Sequence, residues 1–380
     1  MREGWISKKL SELSSIELGK TPARDNVKYW DTSRTTGNVW LSIADLLRAN
    51  DSIVNDSKEH ISDEGALLCK PVKSGTLLVS FKLTLGRLAF AGRNLYTNEA
   101  IAALNIKDEI ILSKYFLRYY LQYFDWDKAT EGDHKIKGRT FNKAKLKEID
   151  VPFPPLPEQR RIVAILDEAF EGIATAKANA EKNLQNAREV FESHLNAVFS
   201  QRGEGWVEKP ISECFKIRNG DFLPSKSMVQ SGEYDVYGGN GINGKHNQKN
   251  ISGCNIIIGR VGAKCGNVRF VNGDLWVTDN AFYISRFIVD VDKHLLAMIL
   301  KRKDLRTTAN HAAQPVISYS TIKDVVIEFP AEAYEQRRIV ESIMIMEVET
   351  QHLESLYQQK LTALDELKQS LLHQAFNGDL

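Results

Sequence analysis

Six residues, EQRRIV, occur twice in this 380-residue chain, at 158–163 and again at 335–340. From that hexapeptide the two copies align without a gap, at an offset of 177 residues, as far as Phe199 and Phe376. Apolar or small residues recur in the first copy at Ile162, Leu166, Ala169, Ile173, Ala176, Ala180, Leu184, Ala187, Phe191 and Val198. The second copy places them at Ile339, Ile343, Met346, Leu353, Tyr357, Leu361, Leu364, Leu367 and Leu371. Steps of three and four are the period of an α-helix, and a stripe this narrow is that of a coiled-coil seam. Neither copy contains proline, and only Gly172 interrupts the first. At about 1.5 Å per residue, each copy spells a helix roughly 60 Å long.

What flanks the helices is repeated too. "IDVPFPPLPEQ" and "VVIEFPAEAYEQ" each run from a short apolar strand through proline into an acidic first turn. Proline cannot continue a strand ladder, and an early Glu suits the positive end of a helix. "NAVFSQRGEGW" and "HQAFNGDL" each follow Phe with a polar, glycine-containing stop. The remaining parts correspond more loosely: "GWISKKLSEL" with "GWVEKPISEC", "LLVSFKLTLGRLAF" with "IIIGRVGAKCGNVRF", "LYTNEA" with "LWVTDNA". The expected organisation is therefore α+β and duplicated. It has a globe at 1–156, a long helix at 157–200, a second globe at 201–333 and a second long helix at 334–380. The second helix must bury its stripe, and its nearest complement is the first helix, packed antiparallel. Two like units related in that way have a pseudo-two-fold axis and present inverted modules, a geometry suited to two half-sites on a duplex.

Net charge is +1, but its distribution is uneven. Residues 158–200 hold five Lys/Arg against seven Asp/Glu, and residues 335–380 hold four against eight. The helices thus carry −6 and leave +7 on everything else, a segregation that fits a polyanion partner. Four cysteines (Cys69, Cys214, Cys254, Cys265) without CxxC spacing suggest neither a zinc site nor a disulfide framework. The start lacks the apolar core of a secretory signal and no apolar run is long enough to span a bilayer, so a reduced, cytoplasmic protein is expected.

Candidate sites lie outside the helices. "YGGNGINGKHNQ" nearly spells a phosphate-binding loop through Gly239, Gly244 and Lys245, but His246 stands where Ser or Thr should bind magnesium, and no helix opens after it. A nucleotide-dependent enzyme is the weaker alternative here. A surface loop whose Tyr237, Asn240, Asn243, Lys245 and His246 reach bases or phosphates is the better expectation. "DHKIKGRTFNKAKLK" carries Lys135, Lys137 and Arg139 among six basic residues. Its positional counterpart, "NHAAQPVISYSTIK", offers Asn310, His311 and Gln314. Either stretch could contact DNA or be a solvated charge run or turn. "GKTPARDNVKYW" mixes Lys20, Arg24, Asn26 and Lys28 with aromatics and reads equally as a capped loop. No catalytic or metal-binding constellation is present: no HExxH, no G-x-S-x-G, no Asn-Pro-Pro-aromatic. The repeated pairs Arg160–Arg161 and Arg337–Arg338 lie at helix starts, where cations are mildly unfavourable, which points to ion pairs with the globe or to a partner surface.

The doubled helix openings, the ending "LLHQAFNGDL", "VYGGNGINGKHN" and "IIIGRVGAKCGNVRF…VTDNAF" together resemble the specificity subunit of a type I restriction–modification system, over essentially the whole chain. The resemblance implies that each globe is a target recognition domain reading one half of a split double-stranded DNA sequence. It adds Ser80, Lys82, Arg260 and Lys264 to the expected DNA contacts. The helices would set the unread gap, with Ile162, Leu166, Ile173, Leu184, Phe191, Ile339, Ile343, Leu353, Leu361, Leu364 and Leu371 at the helix–helix or partner interface. They would also dock two modification (methyltransferase) subunits, with restriction (motor-nuclease) subunits joining for cleavage. The chain itself would need no cofactor, since S-adenosylmethionine, ATP and Mg2+ would be used by those partners. A two-residue insertion in one helix would lengthen the gap by about one base pair. The other alternative is a coiled-coil scaffold whose globes bind no DNA.

Overall fold

In a computed structural model of the chain, residues 4–49, 53–130, 141–200, 202–310 and 314–380 are described, together with the backbone of 134–135 and 138–139. The chain divides into two compact units, Met1–Lys182 with Tyr357–Leu380, and Asn183–Leu356. Both cuts fall inside long helices, Leu156–Ser200 and Ala333–Asn377, each of 45 residues. Each unit is therefore one globe together with a piece of each helix. Among the described residues, no helix is long and apolar enough to cross a membrane.

In the first unit, Ile6–Lys9 pairs antiparallel with Asp150–Phe153 at the foot of the first long helix. A five-stranded sheet follows the order Ser14–Leu18, Ile101–Ile106, Leu77–Ser80, Leu88–Ala91, Ile53–Val54. Alternate residues of its strands feed two cores: Leu77, Val79, Leu88 and Leu104 on one face, Leu78, Ala89, Ala91 and Ile101 on the other. The first face packs on the helix Lys114–Tyr123 and on Ile162 and Leu166 of one long helix and Leu372, Ala375 and Phe376 of the other. The second unit repeats the plan. Trp206–Pro210 pairs with Val326–Pro330, and the sheet order is Phe215–Asn219, Ala281–Phe287, Asn255–Gly259, Val268–Val271. Its core again includes both long helices, through Ile339, Val340 and Ile343 with half-buried Phe191 and Leu195. Even close approaches are duplicated. A Cβ at Gly19 would strike the Thr97 carbonyl, and one at Gly220 the Val277 carbonyl, so only glycine lets that loop cross the sheet edge.

Within each unit the helix pieces run antiparallel. Lys177 Nζ donates to Asp365 at 2.7 Å and Arg161 Nη2 to the Leu380 carbonyl at 2.8 Å in the first. Arg188 Nε donates to Glu354 at 2.5 Å, and His194 meets the Ser342 hydroxyl at 3.1 Å, in the second. Exposed pairs of this kind contribute at most about 1 kcal/mol each. The seam is what holds the pieces. In the first unit Leu166, Ile173 and Ala180 of one piece are buried and Tyr357, Leu364 and Leu371 of the other half-buried, each set at seven-residue steps; in the second unit Ala187, Ile343 and Thr350 are buried. Leu184, Phe191 and Leu361 are half-buried beside them. Leu353 is 38% exposed.

The repeated hexapeptide proves to be a bracket. Gln159, fully buried, donates from Nε2 to the Pro154 and Ile111 carbonyls, both at 2.8 Å, and accepts from the Ser113 N–H at 2.9 Å. Gln336, 2% exposed, donates to the Pro330 carbonyl at 2.8 Å and more weakly to Asp290, and accepts from the Asp292 N–H at 2.6 Å. Ser113 and Asp292 are the N-caps of the short helices Lys114–Tyr123 and Lys293–Arg302. One amide thus ties strand end, long helix and short helix together in both units. Arg161 and Arg338 are spent on Glu158 and Glu335 one turn back, each at 2.7 Å. Arg160 and Arg337 are exposed, and among the described residues neither forms an ion pair.

Candidate nucleic-acid interface

In the second unit, stretches far apart in sequence meet at the turn 260–262. The Ile317 N–H donates to the Arg260 carbonyl at 3.0 Å and the Gly262 N–H to the Pro315 carbonyl at 2.9 Å, while Asn310 Oδ1 holds the Val316 N–H at 2.9 Å. The glycine-rich stretch lies against the same turn: a Cβ at Gly239 would strike the Val261 carbonyl, and one at Gly259 the Gly239 carbonyl. Asn240, Arg260 and Asn310 thereby lie in segments that meet at one turn. Arg260 Nη1 donates to the Asp279 carbonyl at 3.1 Å, and Asn240 is exposed with its carbonyl accepting from Arg269 at 3.0 Å. The Tyr237 hydroxyl is pushed up in pKa by burial and then by nearby Asp235. Asn243, Lys264 and Gln314 are exposed.

The stretch 239–245 belongs to a β-hairpin, Tyr234–Gly238 against Gly241–His246, where a loop was expected. Gly241 at φ +117° supplies the turn, and no helix follows it to cradle a phosphate. Lys245 pairs with Asp235 at 3.0 Å, and His246 packs edge-on against Trp276 at 5.1 Å between ring centroids.

The first unit has the corresponding turn at 81–87, and the Phe141 N–H donates to the Phe81 carbonyl at 3.1 Å just as Ile317 does to Arg260. Ser80 is corrected as a DNA contact. It is fully buried, its hydroxyl donating to the Thr84 carbonyl at 2.5 Å and accepting from the Arg87 N–H at 3.0 Å, so it closes the turn from inside. Lys82 is half-exposed, its ammonium 5.5 Å from the Phe81 ring. In the 19–30 loop, Arg24 is held by Glu59 and stacks 4.1 Å from the Trp30 ring and 4.7 Å from that of Trp40. Asn26 caps the short turn Val27–Tyr29 through the Lys28 N–H at 3.1 Å, while Lys20 and Lys28 remain exposed. Lys137 and His311 lie outside the described residues. Lys135 and Arg139 are described only as backbone of the paired strands His134–Lys135 and Gly138–Arg139.

Between that turn and the segment after the short helix, each unit has an open cleft. In the first it measures about 920 Å³ and is lined by Leu85, Arg87, Tyr123, Trp126 and Lys128 among others. In the second it measures about 370 Å³ and is basic, with Lys264, Lys301 and Arg306 against one acid, Asp304.

Residues 2–185 and again 203–362 match the type I restriction modification DNA specificity domain. The chain belongs to that family. Among its relatives, the type I restriction enzyme EcoprrI specificity subunit of Escherichia coli is 25% identical over 346 residues, 86% of this chain and 83% of the relative. The MjaIX specificity subunit of Methanocaldococcus jannaschii is 25% identical over 245 residues, 59% of this chain and 54% of that one. The fold is that of solved structures. One, from work on assembly and conformational transition of the type I R-M system, aligns over 100% of this chain and 99% of its own, with TM-score 0.78 and 17% identity. The HsdS subunit of Thermoanaerobacter tengcongensis aligns over 100% and 98%, with TM-score 0.61 and 18% identity. The double match to the specificity domain coincides with the duplicated turns and clefts, one set per unit.

Sequence reading did not single out Arg87, Lys301 and Arg306, which line the two clefts. The run "KRKDLR" at 301–306 was visible, but it reads as an ordinary basic helix end. The fold separates its members: Lys303 pairs with Glu328 at 2.8 Å and Arg302 donates to Asn196 at 2.6 Å, leaving Lys301 and Arg306 exposed on the cleft.

Proposed function

We propose that each unit reads one half of a split double-stranded DNA target, with the turn, the adjoining hairpin or segment and the cleft forming the contact surface. Supporting this reading is the duplication of the same turn–cleft arrangement, basic in the second unit, in a chain of the DNA specificity family. Exposed Lys20, Lys28, Asn240, Asn243, Lys264, Lys301, Arg306 and Gln314, with half-exposed Lys82, are the side chains through which contact is made. The long helices set the unread gap and dock two modification subunits, and restriction subunits join for cleavage. Exposed Arg160 and Arg337, present at the same position of both repeats, belong to that docking surface. The chain performs no catalysis and takes no cofactor of its own; its partners use S-adenosylmethionine, ATP and Mg2+, and the modification subunit extrudes the adenine that it methylates. The complex works in the cytoplasm.

The test is co-expression with the neighbouring modification subunit in a methylation-free host, followed by single-molecule sequencing for modified adenine. One motif of two short defined parts around a fixed gap supports the reading; unmodified DNA from an intact, assembled complex overturns it. Lys301→Ala with Arg306→Ala lowers affinity for every sequence alike. The logarithmic salt dependence loses about two units of slope, near 0.9 per phosphate contact, while the methylated motif is unchanged. Binding titrations across a salt series read this directly.

A further inference from the structure

Three non-glycine residues among those described adopt positive φ: Arg34, Leu83 and Asp304. Leu83, at φ +63°, is the outlier by chemistry, since the left-handed region is costly for a bulky side chain without a polar group to bond its own backbone. It sits in the turn between Leu77–Ser80 and Leu88–Ala91, and its side chain is 62% exposed. Packing therefore does not require it. The other unit shows what the backbone alone would select: in the matching turn, between Asn255–Gly259 and Val268–Val271, the equivalent position is Gly262 at φ +98°. The turn is held without the leucine, by the Ser80 hydroxyl, by the Gly86 N–H donating to the Ser80 carbonyl at 2.9 Å, and by Phe141 on Phe81. Strain kept at an exposed apolar side chain, with half-exposed Lys82 and exposed Arg87 in the same turn, is the pattern of a contact made outside the fold.

From this, and resting on the reading that each unit binds half of a DNA target, we infer that Leu83 makes an apolar contact to a base of the first unit's half-site. Lys82 and Arg87 meet the flanking phosphates. The chemistry recognised is a base presenting apolar surface, such as the thymine C5-methyl or an opened base step. Leu83→Gly removes the side chain and the strain together; Leu83→Asn keeps side-chain bulk and tolerates left-handed backbone but loses the apolar surface. Both are assayed as complexes with the modification subunit, by thermal unfolding and by sequencing of methylated adenine. The expected result is a midpoint equal to or above wild type, with roughly tenfold weaker discrimination at one or two positions of one half-site and the other half-site unchanged. A motif unchanged in both variants, or one relaxed equally in both halves, overturns the inference, as does a lowered midpoint, which would make Leu83 a structural residue. A wild-type complex that methylates no split motif would instead refute the DNA reading on which it rests.

Discussion

Replacing Gln159 with leucine lowers the unfolding midpoint of the first unit by about 10 °C. The substitution keeps side-chain volume but deletes three hydrogen bonds in a fully buried position, leaving the Ser113 N–H and the Ile111 and Pro154 carbonyls without that partner. Each buried polar group left unpaired costs about 1–3 kcal/mol, so a total of roughly 3–5 kcal/mol is expected. At about 2–4 °C per kcal/mol for a unit of this size, that gives the stated shift. Gln336→Leu acts on the second unit in the same way, through Pro330, Asp290 and Asp292. Scanning calorimetry of the chain in its complex resolves the two. A shift of only a degree or two in either variant would mean that the bracket is not what fixes the helix to its globe.

Inserting seven residues between Lys182 and Asn183, matched by seven between Leu356 and Tyr357, moves the methylated motif to a gap about three base pairs longer. Methylation of the original motif disappears. Seven residues turn a helix through about 700°, only about 20° short of two full turns, so the seam continues in register. They add about 10 Å, set against about 3.4 Å per base pair. The seam therefore limits what a ruler can accept. A two-residue insertion in one helix turns everything beyond it by about 200° and would bring the outward face of that helix into the place of Leu166, Ile173, Ala180 and Ala187. It would break packing before it lengthened anything. An unchanged gap in a folded, active heptad-insertion variant would sink the ruler reading.

The long helices were legible because their signal is strong and local: more than ten turns of one period, without proline, written twice. The duplication was legible because it survives as an exact hexapeptide. What escaped was how far the stripe is covered: Leu367 fits a three-or-four step, yet it is 46% exposed, and only the packed surface decides which residues face inward. In the globes, the motif "LLVSFKLTLG" was placed rightly as the counterpart of "IIIGRVGAKCG", yet Ser80 within it is an internal clasp while Lys82 is half-exposed. Residues of one turn alternate between inside and outside, and composition cannot order them. The glycines of 238–244 suggested a loop because glycine weakens strand propensity; pairing with Tyr234–Gly238 overrides it.

By itself the sequence determined the class of molecule: two like units, a helix leaving each, and net positive charge drawn away from the helices. Those are properties of pattern and count, set by periodicities that any chain with these residues must obey. Only tertiary structure decided what the repeated EQRRIV is for, because its Gln acts through carbonyls nearly fifty residues away in the chain. It also decided which cations face a cleft, since Lys301 and Lys303 differ only in whether Glu328 of a distant strand is within reach. And it set Leu83 apart, since left-handed backbone at an exposed leucine is a cost that only folded geometry imposes.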